Sequence, residues 1–77
     1  MNKKENNLEV VYSITLYTEA KSNCSKMILE RGQKLINLNK FKKWDGSGTI
    51  MTKIRLIPSN KEGYIVNSFI YTYIKKS

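Results

Sequence analysis

With 77 residues and 40% hydrophobic content, the chain is sized for one domain with a small core and a thin stability margin. Its 14 Lys and Arg against 6 Asp and Glu give a formal charge of +8, which favours nucleic acid, an acidic protein surface or a lipid headgroup layer as partner and argues against a carboxylate-rich mimic of DNA. The absence of histidine and the single cysteine, Cys24, exclude histidine general bases, histidine metal sites, a structural zinc site and a disulfide framework.

Residues 1–7 are polar and are expected to form a flexible tail, followed by one small domain over 8–77. Neither a signal-peptide pattern nor an apolar run of about 18 residues is present, so no membrane association is expected. A lone cysteine without a leader fits a reducing, cytoplasmic setting, with Cys24 as a small buried hydrophobe. From Leu8 to Thr18 the chain alternates: Leu8, Val10, Tyr12, Ile14 and Leu16 share one face of an expected strand. Glu19 to Arg31 carries Ala20, Cys24, Met27, Ile28 and Arg31 at helical spacing, with Gly32 placed as a C-terminal cap. This predicts a short helix. A rival assignment makes Lys26 to Leu38 a β-hairpin turning at Arg31-Gly32.

Lys34 to Leu38 reads as a brief strand, and Asp45-Gly46-Ser47-Gly48 as the turn into the next one. From Ile50 to Ile57, Ile50, Thr52, Ile54 and Leu56 point one way while Met51, Lys53, Arg55 and Ile57 point the other. Pro58 ends this strand, and the loop through Gly63 leads into a second one, Tyr64 to Ile74. That segment is apolar on both faces, the pattern of a central strand covered on both sides. Either Phe69, Tyr71 and Tyr73 are buried, or one face stays open and offers rings beside Lys53 and Arg55. The expected architecture is α+β: a mostly antiparallel four-stranded sheet in the order β-α-β-β-β with one short helix. A small five-stranded β-barrel is the alternative.

The acids, Glu5, Glu9, Glu19, Glu30, Asp45 and Glu62, are scattered, and Ser or Cys nucleophiles lack a base. The Gly46/Gly48 pair lacks the spacing of a phosphate loop. Neither an enzyme nor a cofactor is therefore expected. The one constellation with functional content is Lys40-Phe41-Lys42-Lys43-Trp44, where cations suited to phosphates interleave with rings suited to stacking; alternatively, Phe41 and Trp44 anchor the loop into the core and the lysines are solvated. Lys53, Arg55, Tyr71 and Tyr73 are expected to extend it. Two functions follow. One is a basic, non-enzymatic module binding nucleic acid through this lysine and aromatic surface. The other is a phage or mobile-element accessory protein of anti-defence type, which binds and inhibits a host protein or nucleic-acid enzyme. Lys, Asn, Ile and Tyr make up nearly half the chain, so part of the charge reflects AT-rich coding. A thin core and a two-faced apolar strand also point to a homodimer.

Overall fold

The computed structural model describes residues 7–76; the tail expected over 1–7 lies outside them except for Asn7. The elements are β1 (Asn7–Val10), β2 (Ile14–Tyr17), β3 (Lys26–Leu29), β4 (Lys34–Lys43), β5 (Ile50–Ile57), β6 (Glu62–Val66), α1 (Phe69–Thr72) and β7 (Ile74–Lys76). All strands belong to one antiparallel seven-stranded sheet in the order β3-β2-β6-β5-β4-β1-β7. The sheet curls into a half-barrel. Its inner face carries the core: Leu8, Val10, Ile14, Leu16, Leu29, Leu35, Ile54, Leu56, Ile65 and Ile74. The four-stranded α+β sheet is therefore incorrect, and the barrel alternative lies closer.

The departures have local causes. The strand expected over Leu8–Thr18 breaks at Val11-Tyr12-Ser13. There the amides of Val11 and Tyr12 both donate to the Tyr73 carbonyl, at 2.8 and 3.2 Å. Before the break the chain pairs with β4 and β7; after it the chain pairs with β3 and β6. Tyr12, assigned to the buried face, is 64% exposed at this switch. Ile14 and Leu16 resume the inner-face pattern.

No helix forms over Glu19–Arg31. Thr18 to Cys24 is a series of bends, and Cys24, half-buried, donates its thiol to the Lys21 carbonyl at 2.9 Å. Serine and asparagine side chains compete with helical hydrogen bonding in this stretch. Met27 and Leu29 instead alternate as β3, opposite Leu16 and Ile14. A turn does form at Arg31-Gly32, with Gly32 at φ 93°. Yet β3 and β4 are not sheet neighbours, so the rival hairpin is not realised either.

The strand beginning at Lys34 runs on to Lys43, past its expected end at Leu38. It bulges between Asn37 and Lys40, with Asn39 at φ 56° and its amide held by the Asn37 side chain at 2.8 Å. β5 spans Ile50–Ile57, as its alternation predicts. The expected strand Tyr64–Ile74 is divided into β6, the single turn α1 and β7. Phe69 and Ile70 fold down from α1 onto the core, while β7 crosses to pair with β1. Apolar residues on both faces here mark a segment that plugs the half-barrel and changes sheet position.

Candidate nucleic-acid interface

Strand alternation divides the Lys40–Trp44 run. Lys40 lies opposite Lys53 and Lys42 opposite Met51, on the outer face of the sheet. Phe41 lies opposite Thr52 and Lys43 opposite Ile50, on the side that carries the core. Phe41 is 60% exposed there. The bulge has a direct effect on this arrangement: the inserted Leu38 and Asn39 move Lys40 into the position facing Lys53.

Trp44 is half-buried and packs edge-to-face on Tyr17, with ring centroids 4.7 Å apart. The β4–β5 turn folds over the outer face. The Trp44 amide donates to the Thr49 carbonyl at 2.6 Å and the Asp45 amide to the Ala20 carbonyl at 2.8 Å. Tyr17, Trp44, Ser47, Thr49, Met51 and Val66 line an open cleft of 190 Å³ beneath it. Trp44 thus anchors the turn on the outer face. Lys40, Lys42 and Lys43 are exposed and form no ion pair among the described residues.

Lys53 and Arg55 share one carboxylate. Arg55 donates to Glu62 Oε2 from Nε at 2.9 Å and from Nη2 at 2.7 Å, and Lys53 Nζ sits 3.5 Å from Oε1. The Arg55 hydrogen bonds, aided by the nearby Lys53 charge, hold the Glu62 carboxyl below its ordinary pKa. The expected pair Tyr71 and Tyr73 does not join this surface. Tyr71 is 79% exposed on α1. Tyr73 stacks on Phe69 at 4.7 Å and meets Tyr12 edge-on at 6.2 Å, in the plug at the inner face.

The rings that do stand beside the lysines are Tyr17 and Tyr64. Strand pairing places Lys26 opposite Tyr17, Tyr17 opposite Tyr64, Tyr64 opposite Lys53, and Lys53 opposite Lys40. This outer-face row crosses β3, β2, β6, β5 and β4, a width of roughly 20 Å at ordinary strand spacing. Both tyrosines are half-buried, and Tyr17 is the ring against which Trp44 packs. Lys26 Nζ lies 6.0 Å from the Tyr17 ring centroid. Each member was visible in the sequence, but only long-range register brings them together. Among the described residues no group of acids and Cys24 is arranged to hold a metal ion, and no helix is long and apolar enough to cross a membrane. Comparison with protein-family models, curated proteins and solved structures found no match to this chain.

Proposed function

We propose that this protein is a non-enzymatic module that binds single-stranded nucleic acid across the outer face of its half-barrel. The observation carrying this reading is the cross-strand row Lys26–Tyr17–Tyr64–Lys53–Lys40, with Lys42 beside it. Half-exposed rings on a sheet offer stacking platforms tolerant of base identity, and flanking lysines neutralise the phosphates between stacked bases. Stacking and phosphate contacts of this kind carry weak sequence preference.

Titrating a fluorescent single-stranded oligonucleotide at several salt concentrations tests it. Affinity is expected to fall steeply with salt, and Lys40→Ala to lower the log–log slope by about 0.7. Tyr64→Ala is expected to cost about 1–3 kcal/mol of binding at constant salt. Absent or salt-independent binding would reject the reading and shift weight to an acidic protein target. Intact affinity in a folded Tyr64→Ala variant would reject the stacking role.

A further inference from the structure

We propose that the free edge of β3 joins a second copy of this chain, continuing one sheet across a two-fold axis at Ile28. The edge itself follows from the hydrogen-bond pattern. In an antiparallel pair, residues facing each other alternate between bonded and non-bonded positions. The Thr18 amide donates to the Ser25 carbonyl at 3.0 Å, which makes Thr18–Ser25 a bonded pair. Leu16–Met27 and Ile14–Leu29 are then bonded as well, while Tyr17–Lys26 and Thr15–Ile28 are not. The backbone groups of Lys26 and Ile28 therefore point away from β2, along an edge that no described strand covers. The Glu30 amide continues this outward set; its carbonyl already accepts from Gln33 at 3.0 Å and retains a second lone pair.

The side chains on this edge complement a copy of themselves. Lys26, Ile28 and Glu30 alternate onto the outer face, and Ile28 is 55% exposed. An antiparallel two-fold pairing must set outward-pointing residues opposite one another. The register that places Ile28 against Ile28 of the copy does so, and it also places Lys26 against Glu30 of the copy and Glu30 against Lys26. Both charge pairs and the apolar centre are satisfied at once, as an isologous interface requires. Slipping the register by two residues puts Lys26 against Ile28 and loses both charge pairs. Lys26 Nζ donates to the Ser22 carbonyl at 3.1 Å and lies near the Tyr17 ring, and Glu30 accepts from the Ser13 hydroxyl at 3.5 Å. These exposed contacts exchange readily with solvent. The opposite edge, β7, offers no such match, because its three residues end in exposed Lys75 and Lys76, a like-charge edge of the kind that resists pairing.

Sedimentation or light scattering over a concentration series reaching ~1 mM, at low salt and without nucleic acid, tests the interface directly and does not depend on the nucleic-acid reading. The wild-type chain is expected to approach twice the monomer mass. Lys26→Glu alone and Glu30→Lys alone each set like charges opposite one another twice and are expected to weaken association about tenfold or more. The double variant Lys26→Glu/Glu30→Lys restores the complement and is expected to recover association. Circular dichroism checks that each variant folds. In the dimer, amide exchange at Lys26 and Ile28 slows, while Met27 and Leu29 are protected in either state. A monomeric mass throughout would overturn the proposal. So would single variants that associate as the wild type does, or a double variant no better than its parents.

Discussion

At the scale of single residues, Gly63 shows how one position joins two distant strands. It is buried, and a Cβ there would lie 2.7 Å from the Tyr17 carbonyl oxygen and 2.9 Å from the Leu16 side chain. In sequence Gly63 reads as a loop glycine chosen for positive φ; the left-handed residue in that turn is Asn60, at φ 67°. The glycine is needed for close approach of β2 and β6, a long-range fact that local spacing does not reveal. Gly63→Ala is expected to destabilise the fold by about 1–3 kcal/mol, read by urea denaturation, because a backbone carbonyl cannot move aside as a side chain can. Glu62 next to it governs charge. Its carboxyl pKa is lowered by the Arg55 hydrogen bonds and the Lys53 charge. The resulting stability is present above the unfolded carboxylate value, about 4.3, and is lost as pH falls through the lower folded value. Glu62→Gln is expected to flatten that acid limb in a pH series of melts. The same change releases Lys53 and Arg55 on the outer face, and oligonucleotide binding should tighten, with a salt slope steeper by about 0.7 per freed cation.

At the scale of elements, what was legible depended on length. β5 carries eight residues of unbroken alternation, and its bounds and inner face are evident from the sequence. β1, β2 and β3 have four residues each and β7 has three, too few for a period to stand out against its neighbours. Met27 and Ile28 therefore fit a helical spacing as well as a strand, and only pairing with β2 settles the matter. Within the Lys40–Trp44 run, residue types alone do not tell which side of a bulged strand each side chain faces; the register puts Lys40 and Lys42 on one face and Phe41 and Lys43 on the other. Tyr17 and Tyr64 sit far apart in sequence, and only the pairing of β2 with β6 sets them side by side. The β4–β5 turn is the element on which Trp44 acts. Trp44→Ala removes the edge-to-face contact with Tyr17 and is expected to cost about 1–3 kcal/mol of stability, measured by thermal melting. Lost oligonucleotide binding in that variant would report a displaced turn, whereas Trp44→Phe is expected to retain both fold and binding.

At the scale of the whole molecule, the net charge of +8 was the most readable property and the topology the least. Sheet order is decided by which strands meet after the chain has folded back, and β1 illustrates this: it sits between β4 and β7, both distant in sequence. Salt acts on the assembled molecule in two opposed ways, screening the self-repulsion of a cationic surface while releasing any polyanion held by it. The pairing of β1 with β7 carries one more consequence. Leu8 lies directly opposite Lys76, so the two described ends of the backbone run side by side in the same sheet. The order in which strands occur along the polypeptide is then separable from their order in space. A circular permutant, joined by a short linker near Leu8 and Lys76 and opened in the exposed turn Pro58–Lys61, keeps every strand beside its present neighbours. It is expected to give the same amide spectrum in the core as the parent chain.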